Sequence, residues 1–106
     1  MPRVRQHDAA RRDLVEHFVY LAEEAGLDTA ERFLRNAETS FNLLATQPKM
    51  GASLSLRRPE LAELRKWRVA GFDNFLIFYL PRNDGISVVR VLQGSRDWWS
   101  LLGLAS

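Results

Sequence analysis

Hydrophobic residues in the first half of the chain recur every three or four positions in two successive segments, which is the spacing of amphipathic α-helices. The first segment follows Asp8, a candidate N-cap, and is expected to end at Gly26. The second begins near Asp28, which precedes Glu31 by three residues as in a capping box, and it ends before Pro48. The apolar stripes are Leu14, Val15, Phe18, Leu21, Ala22 and Ala25 in the first helix and Phe33, Leu34, Ala37, Phe41, Leu44 and Ala45 in the second. Two helices joined by so few residues predict an antiparallel hairpin.

The segments on either side of the hairpin have a different character. The stretch "PRVRQ" before it predicts a short edge strand. After it, residues 46–61 contain turn formers without a clean period, which predicts a long connecting loop. Beyond Gly94 the apolar residues Trp98, Leu101 and Leu102 predict a short terminal helix that ends at Gly103.

From Leu64 the period of the pattern changes to two, which indicates β-strands. Three runs follow one another, "LRKWRV", "NFLIFYL" and "ISVVRVL". The last two flank the turn "PRNDG", in which Asp84-Gly85 supplies the residues that a tight hairpin requires. The middle run is apolar on both faces and is therefore predicted to be the central strand of an antiparallel meander.

Alternation along these strands assigns their side chains to two faces. The face predicted to pack on the helices carries Trp67, Val69, Phe75, Ile77, Tyr79, Val89 and Val91. The opposite face is predicted to carry Leu76, Phe78, Val88, Leu92, Lys66, Arg68 and Arg90. A monomer would not readily leave such a mixed apolar and basic surface bare, which indicates a partner.

Composition narrows the class of protein. A chain of 106 residues can bury one modest core, so residues 1–106 are expected to form a single domain. No apolar run approaches the roughly 20 residues of a membrane span, and the first residues lack the apolar centre of a signal peptide, so a cytoplasmic location without membrane contact is expected. Cysteine is absent, and the lone His7 and His17 do not predict a metal site. No cofactor is expected.

Basic charge concentrates in the second half of the chain. Residues 1–56 carry seven Lys or Arg and eight Asp or Glu, a balance of −1, whereas residues 57–106 carry eight and five, a balance of +3. This asymmetry favours polyanions or acidic protein surfaces as partners, and an ordinary solvated face would produce the same count.

Catalytic groups are hard to assemble from these residues. The two histidines select no triad, and carboxylate pairs such as Asp8 and Asp13 are explained by a cap or by a solvated helix face. Lys66, Arg68, Arg90 and Arg96 could hold a phosphate. However, Tyr20 is predicted in the first helix and Tyr79 in the core, so a proton donor is missing. Binding is therefore better supported than cleavage.

The order of elements, together with "LRKWRV", "FLIFY" and "RVLQGSRDW", resembles the RelE/ParE superfamily of type II toxin-antitoxin toxins, and most of all its ParE branch. One departure is Gln93, which stands where ParE-like toxins typically have a His. The resemblance implies an α+β fold in which a short N-terminal strand and an antiparallel two-helix hairpin pack with a mainly antiparallel sheet. A three-strand C-terminal meander and a short C-terminal helix complete that fold.

The two branches of the superfamily imply different activities. RelE-like toxins are ribosome-dependent mRNA endonucleases, and their sheet lysines and later Arg are matched here by Lys66, Arg68 and Arg96. Their central-strand Arg falls at Leu76 and their C-terminal Tyr near Leu102, so two roles are empty. The resemblance therefore favours a ParE-like toxin, which inhibits DNA gyrase by binding and is not itself an enzyme. A RelE-like endonuclease and an inactive antitoxin-binding module remain the alternatives.

The resemblance also implies partners and their contact residues. Target binding is expected at Lys66, Arg68, Arg90, Arg96, Trp98 and Trp99, with at least one of the two tryptophans structural. A ParD-like antitoxin is expected to form a hetero-oligomer with the chain, covering Leu76, Phe78, Val88 and Leu92 and part of the helical hairpin. Sequence-specific DNA contact in such systems belongs to the antitoxin and is not expected of this chain.

Overall fold

Two helices and a five-stranded sheet make up the fold in the computed structural model, which describes residues 1–94 and residue 102. The elements are β1 (Arg3–Gln6), α1 (Asp8–Ala25), α2 (Leu27–Thr46), β2 (Ala52–Ser53), β3 (Arg65–Val69), β4 (Phe72–Arg82) and β5 (Gly85–Gln93). The strand order is β1-β5-β4-β3-β2, with β1 parallel to β5 and every other pair antiparallel. The predicted α+β class, helical hairpin and three-strand meander are confirmed. The predicted terminal helix lies outside the described residues except for Leu102.

The helical hairpin turns at a single residue. Gly26 has φ of 96°, a conformation that glycine adopts without a steric penalty, so α2 begins directly after α1. The N-cap positions are His7 and Gly26, and neither makes a side-chain capping hydrogen bond. The predicted caps at Asp8 and Asp28 are therefore wrong by one or two residues. Both carboxylates instead lie in the first turns, where they face the positive end of the helix dipole.

The turn between β3 and β4 is tied to α2 by two polar side chains. Asn36 donates from Nδ2 to the carbonyl oxygen of Ala70 at 2.9 Å, and the Ala70 N–H donates to Ser40 Oγ at 3.0 Å. Gly71, with φ of 76°, completes the turn. These bonds satisfy the backbone of a tight turn and fix the adjoining ends of both strands against the helix.

The face of the sheet that packs on the helices forms the larger core. The predicted members Val69, Phe75, Ile77, Tyr79 and Val91 are buried there, and Trp67 is half-buried against them. Val88 also lies in this core, whereas Val89 packs on the opposite face, so the prediction exchanged these two residues.

The exchange has a cause in the pairing of β4 with β5. Phe78 pairs with Arg90 and Tyr79 with Val88, so the register shifts and Val89 is an extra residue on β5. A bulge of one residue moves the side chains beyond it to the other face. Regular alternation therefore assigns Val88 and Val89 to the wrong sides.

The opposite face, hereafter the far face, is also covered. Its buried residues are Leu64, Phe78, Leu80 and Leu92. The segment predicted as a plain loop forms β2, which pairs with Arg65 and Lys66, and a 3₁₀ turn at Pro59–Leu61. Partly buried residues pack against these, namely Leu54, Leu56 and Leu61 of that segment, Leu76 of β4, Val89 of β5, and Leu102. The sequence predicts that this face is not left bare, and the covering segment 54–64 supplies part of its cover from within the chain.

Candidate partner-binding surfaces

Lys66 and Arg68 lie side by side on the far face. Lys66 pairs across the sheet with Phe78, and Arg68 with Leu76, so both basic side chains share the face of those residues. Arg68 is exposed and reaches Asp73 at 3.5 Å between Nε and Oδ1, with both side chains more than half exposed. An exposed ion pair at this distance contributes little interaction energy. Arg68 can therefore exchange Asp73 for a partner at small cost.

Two further arginines belong to the same region. Arg57 and Arg58 are exposed and stand in the covering segment between Leu56 and Leu61, which pack on the far face. The sequence pattern did not single them out, because the segment has no period. The adjacent basic pair before Pro59 was the available signal. The far face thus presents cations from β3 and from the segment that covers it.

Arg90 lies in an ion pair with Asp13 of α1. Its Nε donates to Oδ2 at 2.7 Å and its Nη2 to Oδ1 at 2.8 Å. The Asp13 side chain is 6% exposed and that of Arg90 23%. The hydrogen bond to Asp13 raises the pKa of Arg90, and burial opposes it. The interpretation of Asp13 as a cap or a residue of a solvated helix face is therefore wrong. Arg90 is bound to a partner within the chain.

His17 extends this contact between α1 and β5. Its Nε2 lies 2.6 Å from the carbonyl oxygen of Val91, so this nitrogen carries the proton and donates it. The ring meets Phe75 edge-on with 4.9 Å between ring centroids, and it meets Phe33 at 6.0 Å. His17 is consequently oriented toward the helix-side core and the backbone of β5.

Tyr79 occupies the core position that alternation predicts. Its hydroxyl donates to the carbonyl oxygen of Pro48 at 2.8 Å and accepts the Gly51 N–H at 2.8 Å. Burial raises the pKa of this phenol. With both directions of its hydroxyl engaged inside the protein, Tyr79 holds the chain between α2 and β2 and faces no open surface.

The four residues predicted to bind an antitoxin differ in accessibility. Leu76 is half-buried and lies beside Arg68, whereas Phe78 and Leu92 are buried beneath the covering segment. Val88 lies on the helix side of the sheet and is fully buried. Arg96, Trp98 and Trp99, predicted to bind the target, lie outside the described residues.

An apolar groove runs along the outer surface of the helical hairpin. One part is a cleft of about 210 Å³ lined only by Leu14, Val15, Phe18 and Leu34. A neighbouring cleft of about 450 Å³ shares Leu14 and Leu34 and continues toward β1. Val15 is 64% exposed, so the groove is open to solvent. Part of the apolar stripe predicted for the first helix therefore lies on the outer surface of the hairpin.

Other site types find no support in residues 1–94 and 102. Over this range no cluster of three or more His, Asp or Glu side chains could hold a metal ion. Neither α1 nor α2 combines the length and the apolar composition that crossing a membrane requires.

Comparisons with known proteins place this geometry in a family. Among solved structures, a chain of a chromosomal ParDE toxin-antitoxin system from P. aeruginosa has a TM-score of 0.69 and 15% sequence identity, covering 88% of this chain and 96% of that chain. At this identity the likeness shows the fold. No curated protein sequence matches the chain. The family model of the ParE toxin of the type II toxin-antitoxin system parDE matches residues 4–98, and the chain therefore belongs to the ParE toxin family.

Proposed function

We propose that this ParE-family toxin inhibits DNA gyrase by binding to it, and that a ParD-like antitoxin keeps it inactive in the cytoplasm. One observation carries the choice of binding over RNA cleavage. All the histidines and tyrosines of the chain, two of each, lie away from the basic far face. His7 and Tyr20 are on α1 or at its start, and His17 and Tyr79 point into the helix-side core.

This placement bears on chemistry because cleavage of an RNA phosphodiester needs proton transfer as well as charge stabilisation. Lys66 and Arg68 supply charge on the far face. Leu76 lies on the central strand β4 beside Arg68, and an aliphatic side chain neither offsets charge nor moves a proton. The surface is therefore better suited to hold a partner than to cleave a substrate.

The proposed target surface consists of Lys66 and Arg68, together with Arg96, Trp98 and Trp99 from the sequence prediction. Arginine and tryptophan are the residue types that most often dominate the energy of protein interfaces. Arg57 and Arg58 extend the same basic region. The sequence prediction also included Arg90, which is instead engaged by Asp13 of α1.

Two apolar surfaces among the described residues support the proposal of antitoxin binding. One is Leu76, the accessible member of the predicted set, above Phe78 and Leu92. The other is the hairpin groove, whose Leu14, Phe18 and Leu34 an amphipathic segment could cover. An antitoxin on both surfaces would hide apolar area next to Arg68 and so compete with the target. We propose no sequence-specific DNA reading by this chain.

The decisive experiment is a gyrase supercoiling assay with the purified chain, with and without its antitoxin. We expect inhibition that the antitoxin reverses. Arg68→Gln should raise the concentration for half-inhibition by about fivefold or more, the factor that corresponds to roughly 1 kcal/mol of binding free energy. Arg12→Gln, an exposed arginine on α1, is the matched control and should change nothing.

A parallel assay with translating ribosomes addresses the runner-up function. Codon-linked mRNA cuts with gyrase untouched would overturn the proposal in favour of an endonuclease. Expression without the antitoxin addresses the remaining alternative, because an inactive module should leave growth unaffected.

A further inference from the structure

Among residues 1–94 and 102, no strand pairs with the second half of β5 on the side of β1. The parallel pairing of β1 with β5 ends at Gln6 and Val88, and the His7 N–H then donates to the Val88 carbonyl oxygen at 2.9 Å. From Asp8 the chain runs as α1. The backbone of Val91 is bound by α1 side chains instead. Asp13 Oδ2 accepts its N–H at 2.9 Å, and His17 donates to its carbonyl.

Two side chains of α1 therefore take the place of a strand at this point of the sheet. The same Asp13 carboxylate accepts two hydrogen bonds from Arg90, so at least three bonds converge on it. A buried carboxylate is retained only when its charge and lone pairs are matched in this way. We name Asp13, His17, Arg90 and the Val91 backbone the α1–β5 clamp.

The clamp lies next to the proposed target surface. Leu92, which follows Val91, pairs with Leu76, and Leu76 pairs with Arg68, so the three form one row across the far face. Two residues further on, the Gly94 N–H donates to the Asn74 carbonyl oxygen at 2.6 Å. The end of β5 is thus paired and hydrogen-bonded to the strand that carries Leu76, at one end of this row.

We propose that Asp13 is a positioning residue for target binding. Through Arg90 and Val91 it holds the end of β5, and Arg90 acts within this clamp and not as a direct contact to the target. The inference rests on the proposed function, because inhibition of gyrase is one of its two readouts.

Asp13→Asn separates positioning from direct contact. If Arg90 contacts the target itself, removing the charge of Asp13 releases the guanidinium, and inhibition stays or rises. If Asp13 positions the strand, Asp13→Asn and Arg90→Met each weaken inhibition by about tenfold or more, the factor that corresponds to roughly one charge-assisted hydrogen bond. The double variant should then lose no more than either single variant.

A control variant breaks an arginine–aspartate pair at the other end of β5, and comparison at a temperature where every variant is folded limits the effect of stability. Arg5→Gln breaks a second bidentate arginine–aspartate pair, between Arg5 and Asp84, far from the row of Leu92, Leu76 and Arg68. All variants are compared as full chains at a temperature where each is folded. We expect Arg5→Gln to inhibit gyrase like the unmodified chain.

Amide hydrogen exchange of the full chain is the second readout, and it does not depend on gyrase. In Asp13→Asn, exchange at Val91 and Leu92 should rise about tenfold or more relative to Ser87 in the first half of β5. If the unmodified chain fails to inhibit gyrase, the proposed function falls, and faster local exchange still supports the clamp. Unchanged local exchange overturns the inference.

Normal inhibition by Asp13→Asn, with an active unmodified chain, also overturns it and leaves the proposed function standing. If Asp13→Asn does not fold, Arg90→Lys is used in both assays, because it keeps the charge and loses the bidentate geometry. For this variant the exchange readout decides, because losing a direct contact would weaken inhibition without raising exchange at Val91 and Leu92, and that outcome overturns the inference.

Discussion

The two ends of β5 are each fixed by an arginine and an aspartate, in different surroundings. At its start, Arg5 donates to both oxygens of Asp84 at 3.0 and 2.9 Å, and the side chains are 45% and 46% exposed. Near its end, Arg90 binds Asp13 with similar geometry, at 23% and 6% exposure. Water screens the first pair strongly and the second much less.

Two ion pairs with similar bond lengths can therefore differ in what the loss of one partner does to stability. Losing one partner of the exposed pair leaves a charge that water solvates. Losing one partner of the buried pair leaves a charge without compensation. At the start of β5, we expect the close backbone contact of β1 with Gly85 to contribute more to the free energy of unfolding than the exposed ion pair does.

The largest expected effect is at the buried pair. Arg90→Met leaves the Asp13 carboxylate buried beside Val91 without its cation, and we expect a loss of about 3 to 5 kcal/mol in the free energy of unfolding. Urea denaturation measures it. Arg68→Met, which removes an exposed arginine paired with Asp73, is the control and should change stability little. Equal losses in the two variants would contradict the contrast.

A somewhat smaller effect is expected from Gly85→Ala, at the other end of β5. Gly85 has φ of 150°, and a Cβ there would overlap the backbone of Arg3. We expect a loss of about 2 to 3 kcal/mol from strain and displacement of β1. Gly94→Ala, where a Cβ would meet its nearest neighbour at 3.4 Å, is the matched control. The expectation fails if thermal unfolding of Gly85→Ala matches that of the control.

The smallest effect is expected from Asp84→Asn, and it depends on pH. The hydrogen bond from Arg5 lowers the pKa of Asp84 from 3.8 to about 2. A lowered pKa stabilises the folded chain above the ordinary value, and this contribution disappears as the pH falls through about 2. The difference in unfolding midpoint between the unmodified chain and Asp84→Asn should therefore shrink across this window. A difference that is constant or grows toward acid would contradict the assignment.

Much of the fold follows from the sequence because its elements carry strong periods. The helical spacing predicts α1 and α2, and alternation predicts β3, β4 and β5. The two residues of β2 have no pattern of their own and form a strand only because β3 offers them partners. The inserted Val89 is invisible to a period-two pattern for a similar reason, since the bulge is defined by the neighbouring strand.

The contacts of the α1–β5 clamp were not predicted from the sequence. Asp13 and Arg90 are 77 residues apart, so no local pattern joins them. A signal was nevertheless present, because Asp13 shares a helical face with Ala10, His17 and Leu21, of which Ala10 and Leu21 are buried. A charged residue on that stripe indicates a buried partner. The covering segment 54–64 gave no comparable signal, because its leucines follow no period.

The long-range contacts of β5 also bear on the order of folding. Arg5, Asp13 and the Val91 backbone take part in hydrogen bonds that span 77 to 79 residues. On the ribosome, the N-terminal strand and the charged residue of the first helix must wait for most of the chain to be made. Contacts of such high sequence separation form slowly and leave apolar surface exposed meanwhile. During that interval the newly made toxin presents the hairpin and its groove before the sheet is complete.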